Sequence, residues 1–212
     1  MKHTIFAAAL ALASISAAQA AAINGLYNTG TGAEGSEETH YSLSSTSVAA
    51  TKPTVTFNNV WPVDGTWIKN SGDSKWITPT ATQGESLDPS VDGIYTYTLK
   101  FDLTGYNASS AEFLGRVSAD NSVVVKLNGS LIGSGDSFKT WGSFGADDGF
   151  LAGVNTLQFI VTNDKLGSGN PTGLRVEFTS SNVSAVPEPA TYGMMLGGLA
   201  LVGAVARRRK QK

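Results

Sequence analysis

Cysteine is absent from all 212 residues. That excludes a disulfide framework, a cysteine nucleophile and a thiolate metal site. Histidine occurs only at His3 and His40, which removes most zinc sites and most histidine-based catalysis. Charged residues are 15% of the chain, few for a cytosolic protein, while 41% is apolar, too much for a disordered one. Helical periodicity is also missing: between the two ends, no stretch of ten residues places apolar side chains at helical spacing. Gly-x-Ser-x-Gly does not occur, so no nucleophile elbow is present.

Both ends are read as addresses, not fold. Lys2 and His3 precede an apolar run from Ile5 to Ile15, and Ala18-Gln19-Ala20 has the small-x-small form of a cleavage site. Residues 1–20 are expected to be a signal peptide, read by the export translocon and cut by signal peptidase after Ala20; Ala21 or Ala22 would also serve. At the other end Pro187-Glu188-Pro189 precedes an uncharged run over 190–206, and Arg207-Arg208-Arg209-Lys210 closes it. At about 1.5 Å per residue the run makes roughly 26 Å of helix, just enough for a hydrocarbon core with local thinning. The cationic cluster would stay on the cytoplasmic side of the inner membrane and act as a stop. This order of proline pair, short glycine-bearing apolar helix and arginine cluster resembles the PEP-CTERM sorting signal of Gram-negative bacteria. The resemblance covers residues 186–212. It implies an exosortase as partner, removal of the helix near Pro187, and a host that makes exopolysaccharide. An ordinary anchor that is never cut is the alternative.

The body, residues 23–185, carries 9 basic and 16 acidic residues, a net charge of −7. Such a body is a poor partner for nucleic acid, which is bound by neutralising phosphates. Neutral glycans or divalent cations suit it better. Apolar and polar residues alternate along Ile94–Leu103, Val123–Leu127, Asn155–Asn163 and Leu174–Thr179, with a further strand around Phe113, Val117 and Ala119. Asn128-Gly129 before Leu131-Ile132 is a hairpin signal, and Asp64-Gly65, Asp92-Gly93 and Asp148-Gly149 mark turns. The expected fold is all-β, an antiparallel β-sandwich or jelly roll, flanked by the signal peptide and a single C-terminal transmembrane helix. Residues 24–50, rich in Gly, Ser, Thr and Glu, fit a loop or an edge strand.

Four tryptophans, Trp61, Trp67, Trp76 and Trp141, fall outside the alternating strands. An exposed indole stacks on the C–H face of a sugar, whereas a buried one plugs the end of the core. Trp141, in a glycine-rich stretch, is the first choice for a ligand contact. Asp120 and Asn121, with Asp147 and Asp148, could offer oxygens to calcium, or cap turns at strand ends. No other cofactor is expected. Glu112, Asp120 and Glu177 are the carboxylates available to a glycosidase, but Glu112 and Glu177 fall at solvent-facing strand positions. His40 is expected to be solvated, in a polar, flexible stretch. No catalytic residue is assigned. Asn-x-Ser triplets at Asn107, Asn128 and Asn182 are taken as chance.

Lys75-Trp76-Ile77, Gly115-Arg116-Val117-Ser118-Ala119-Asp120-Asn121 and Val125-Lys126-Leu127-Asn128-Gly129 follow in an order similar to galactose-binding-like jelly rolls of exported bacterial proteins. That resemblance covers about 55 residues and implies a glycan-binding fold without identifying a sugar. The expectation is an exported, non-enzymatic protein of the cell envelope or extracellular matrix, associated with exopolysaccharide. The alternatives are a self-packing coat or adhesion protein and a secreted glycan hydrolase.

Overall fold

The computed structural model describes residues 20–186 and 189–210. The elements are β1 (Ala20–Ala21), β2 (Tyr41–Ser45), β3 (Thr54–Val55), β4 (Ile77–Thr78), β5 (Gly93–Asp102), a 3₁₀ turn (Ala108–Ser110), β6 (Glu112–Asp120), β7 (Ser122–Leu127), β8 (Ser130–Gly135), β9 (Gly142–Ala146), β10 (Val154–Asn163), β11 (Gly173–Ser184) and helix α1 (Pro189–Lys210). The body, Ala20–Ser184, is one compact unit, separate from the segment that begins at Ala185.

The strands join in one antiparallel sheet of order β2-β5-β10-β7-β8-β9-β6-β11-β4-β3, with β1 added to β11. The sheet curls so that its two halves face each other. Phe101 of β5 meets Phe113 of β6 with ring centroids 6.5 Å apart, and Phe144 of β9 meets Phe159 of β10 at 5.5 Å. Period-2 alternation produces this arrangement. Tyr95, Tyr97, Leu99 and Phe101, Val123, Val125 and Leu127, and Leu157, Phe159 and Val161 are buried in one core with Phe113, Val117, Leu174 and Val176 of the other half. Gly115 lets the Phe144 ring pack directly on the backbone of β6: a Cβ there would lie 2.4 Å from it. The β7–β8 hairpin turns on Asn128 (φ 50°) and Gly129 (φ 90°), the positive angles that a two-residue loop requires. Residues 24–50 supply the edge strand β2, paired with β5.

A second, smaller core lies outside the sandwich, where Val63, Trp67 and Trp76 are buried together. The segment that forms it covers the outer face of β11. As a result Arg175 and Glu177, whose alternation points them away from the main core, are nevertheless only 3% and 4% exposed. The solvent-facing position expected for Glu177 is corrected accordingly.

The C-terminal helix begins at Pro189, where the missing N–H costs no helical bond, and continues through Arg207, Arg208 and Arg209 to Lys210 instead of ending at 206. Among the described residues no helix is long and apolar enough to cross a membrane. The span expected over 190–206 therefore rests on the sequence. Pro187 and Glu188, and the signal peptide up to residue 19, lie outside the described residues.

The register makes a direct prediction. Leu99 is buried and central, whereas its neighbour Thr98 lies on the other face of β5. Leu99→Ala is expected to cost about 3 kcal/mol in urea unfolding, and Thr98→Ala under about 1 kcal/mol. Equal losses would refute the assignment of faces.

Candidate functional site

The outer face of β9, β6 and β11 carries the most developed arrangement of polar and aromatic groups. On β6, Glu112, Leu114 and Arg116 point outward. Arg116 is paired with Ser143 on one side and Glu177 on the other, Leu114 with Gly145 and Ser180, and Glu112 with Asn182. Register thus sets three rows of side chains across the face. A bulge between Phe178 and Ser180 bends β11 at the middle of it.

At one end the charges form a closed network. Glu177 accepts from Arg116 Nε at 2.6 Å, from the second Arg116 terminal nitrogen, from Ser74 Oγ at 2.6 Å and from Arg175 at 3.2 Å. Arg175 Nε donates to Ser74 Oγ at 2.6 Å, and its other nitrogens reach Ser71 Oγ (2.9 Å) and the Lys69 carbonyl. Burial alone would raise the Glu177 carboxyl. The Ser74 hydroxyl and the two guanidinium groups outweigh it and hold the group below the ordinary glutamate value. Burial lowers the Arg175 guanidinium, with Glu177 opposing that shift. Trp141, half-buried just before β9, lies against both arginines, 4.5 Å from Arg116 and 4.9 Å from Arg175, measured from ring centroid to guanidinium carbon. The Arg116 side chain is 44% exposed, so its guanidinium faces both Glu177 and solvent.

Next to Arg116, whose cross-strand partner Ser143 lines it, lies a cleft of about 600 Å³, within the range of small-ligand sites. Leu114 and Ile132 line it with apolar side chains, over the buried Phe113 and Phe144 of the core, and Ser143, Ser180, Glu112, Asp147 and Asn182 supply hydroxyls, carboxylates and an amide. The side chains that organise the site, Arg116, Arg175, Glu177 and Ser74, were not singled out as ligand contacts from the sequence. Their one signal there is an Arg-x-Glu pair inside a strand of a chain with few charges.

The other expected site residues scatter. Trp67 and Trp76 lie in the smaller core with rings 4.4 Å apart. Their indole nitrogens donate to Asp120 Oδ2 (2.8 Å) and the Ile68 carbonyl (2.7 Å). Neither presents a face to a sugar, because the loop that holds them folds inward and satisfies their N–H groups there. Trp61 is 43% exposed, far along the chain from Trp141, with its nitrogen on Thr66 Oγ1. Asp120 is buried under Trp67, and the Asn121 side chain accepts from the Asp164 backbone at 2.8 Å. Asp147 and Asp148 are exposed at the opposite end of β6, since Phe113 pairs with Ala146 whereas Asp120 pairs with Gly173. Seven residues of strand separate those positions by roughly 23 Å, so the four do not converge on one ion. Among the described residues no group of three or more His, Cys, Asp or Glu is placed to hold a metal. His40 is not a free side chain: its Nδ1 lies 3.0 Å from Glu38 Oε1 and its ring stacks on Tyr27.

Residues 185–210 match the PEP-CTERM protein-sorting motif. The chain is therefore an exported protein sorted through that motif. No curated protein is detectably similar to it in sequence. Among solved structures it is similar to a PA14 sugar-binding domain from an RTX adhesin, with 17% identity, a TM-score of 0.28, 46% of this chain and 56% of that one covered. It is also similar to the family 11 carbohydrate-binding module of Clostridium thermocellum bound to a mixed-linked tetrasaccharide, with 10% identity, a TM-score of 0.34 and coverage of 82% and 99%. A family 35 carbohydrate-binding module from an environmental isolate matches at 19% identity and a TM-score of 0.24, covering 47% of this chain and 76% of that one. TM-scores this low assign neither a ligand nor a site to the present chain.

Asp120 yields a pH prediction. Burial, with Asp164 adding to it and the Trp67 bond opposing, raises its carboxyl from 3.8 to about 6. The folded state then favours the protonated form, so the stabilisation is complete below about pH 4 and lost as pH rises through 6. Asp120→Asn should match the parent near pH 4 and exceed it by at most about 3 kcal/mol at pH 7. Parallel stability profiles would show that another group titrates.

Proposed function

We propose that this chain is a non-catalytic polysaccharide-binding protein of the cell envelope or extracellular matrix, with the exopolysaccharide of its own host as ligand. One observation carries the reading: the half-buried indole of Trp141 is held against two guanidinium groups, two residues before Ser143, which lines a cleft of about 600 Å³. A sugar ring offers a C–H face to the indole and hydroxyls to its surroundings. Arg116 donates to those hydroxyls, and Glu112, Asp147 and the serines of the cleft accept from them.

Hydrolysis by the three carboxylates nominated from the sequence, Glu112, Asp120 and Glu177, is disfavoured by their placement. Glu177 is committed to two arginines. Glu112 and Asp120 stand at opposite ends of β6, roughly 26 Å apart along the strand, against the roughly 5–9.5 Å that a glycosidase pair needs. We read Asp147 as an acceptor for ligand hydroxyls, not a calcium ligand. A body of net charge −7 also argues against nucleic acid as partner. We further read α1 as a transient inner-membrane anchor that the exosortase removes, with translocon and signal peptidase acting earlier. A coat protein that packs against itself is the second reading, favoured by the exposure of Leu114 (60%) and Leu131 (67%).

Two measurements test these readings. In pull-down on the host's purified exopolysaccharide, Trp141→Ala is expected to weaken binding about tenfold or more at unchanged melting temperature, and EDTA to leave binding unaltered. Binding indifferent to Trp141, together with concentration-dependent self-association, would favour the coat protein. The intact mass of the mature protein from its native host should place the new N-terminus at residues 21–23 and the new C-terminus near Pro187. A full-length mass would exclude processing.

A further inference from the structure

A second cleft, of about 350 Å³, lies on the other side of the β11 bulge and shares Ser180 and Ser181 with the first. Its walls include Tyr27 and Asp73. Tyr27 is 40% exposed and oriented from behind. Its ring lies on the His40 imidazole, with centroids 3.8 Å apart and planes inclined by 28°. His40 is in turn fixed by Glu38, whose Oε1 accepts from the His40 backbone N–H at 2.8 Å and lies 3.0 Å from Nδ1. Glu38 is 1% exposed, and its Oε2 accepts the Gly30 N–H at 2.8 Å. The Tyr27 carbonyl is held by the Tyr41 hydroxyl at 2.6 Å. A buried carboxylate thus positions an imidazole, and the imidazole covers one face of the tyrosine and leaves the other for a ligand. An aromatic ring immobilised beforehand loses little freedom on binding.

The two clefts are joined by more than a shared wall. Ser74, inside the Arg175–Glu177 network under Trp141, is adjacent in sequence to Asp73, and Asn28 Nδ2 donates to the Asp73 carbonyl at 3.0 Å. The same short loop therefore supports both aromatic platforms. We infer that Tyr27 forms a second sugar-stacking subsite, and that one ligand passes over Ser180 and Ser181 of β11 to reach both it and Trp141 beside the first cleft. The ligand is then an internal stretch of a polysaccharide chain, not a single sugar or a chain end.

This inference rests on the polysaccharide-binding reading, and the experiment separates the two. Host exopolysaccharide is cut by partial acid hydrolysis, size-fractionated and titrated against the mature protein. Affinity is expected to climb with chain length until both platforms are spanned. Tyr27→Ala should lower affinity for the long fractions about tenfold and leave the shortest binding fraction unchanged, whereas Tyr27→Phe keeps the parent profile. Asp73→Asn, on the exposed wall of the same cleft, should weaken the long fractions alone. If Tyr27→Ala and Asp73→Asn both keep the parent length dependence, the second subsite is wrong although binding at Trp141 stands. If no fraction binds to the parent protein, the polysaccharide reading falls and the second subsite with it.

Discussion

The two halves of the curled sheet are held together through Phe113. Its ring meets Phe101 across the sandwich, and Phe144, Phe150 and Phe178 around it, at centroid distances of 5.6–6.5 Å and steep interplanar angles. With no cysteine to cross-link the layers, this edge-to-face cluster and the aliphatic rows beside it must supply the cohesion by burial and dispersion. Gly115 belongs to the same contact, since any side chain there would displace Phe144. Once Phe113 and Val117 face inward, pleating forces Leu114 and Arg116 outward on the same strand. The cleft on the outer face is therefore a geometric consequence of how the core closes.

The outer face then departs from the usual wet side of a sandwich. Arg175 and Glu177 lie under a covering loop, and their charges are tolerated because each is answered: by the other, by Arg116, by two serine hydroxyls and by a backbone carbonyl. Buried ions of this kind contribute little to stability beyond their own desolvation cost, and breaking one partner is expensive. Their effect here is positional. They fix the loop over residues 69–74 against β11, and that loop shapes the ground on which Trp141 rests and the wall beside Tyr27. Buried carboxylates thus hold the neighbours of both rings, Glu177 the arginines against Trp141 and Glu38 the imidazole against Tyr27.

Much of the fold was legible beforehand because it is written at short range. Alternation along β5, β7 and β10 depends on residues two apart, and the Asn128-Gly129 turn depends on two backbone angles. The sorting tail was legible for a similar reason, as proline pair, uncharged run and cationic stop are contiguous. The arrangement at the candidate site was legible only in part. Trp141 could be nominated as an aromatic among glycines, but its arginine partners could not. Trp67 and Trp76 carried the same local signals as Trp141 and turned out to be core, and His40 looked free in its polar surroundings and is fixed.

The amino-acid sequence alone therefore determined which residues alternate, where hairpins turn and that the chain carries an export address, because each is settled within a few residues of backbone. Which outward-facing residues stay wet was decided only by tertiary structure. Arg175 meets Ser74 across 101 positions of chain, and the Asn28 side chain meets Phe178 across 150. Period-2 patterning assigns a side chain to a face, but a loop arriving from that far away decides whether the face meets water, another charge or a ligand.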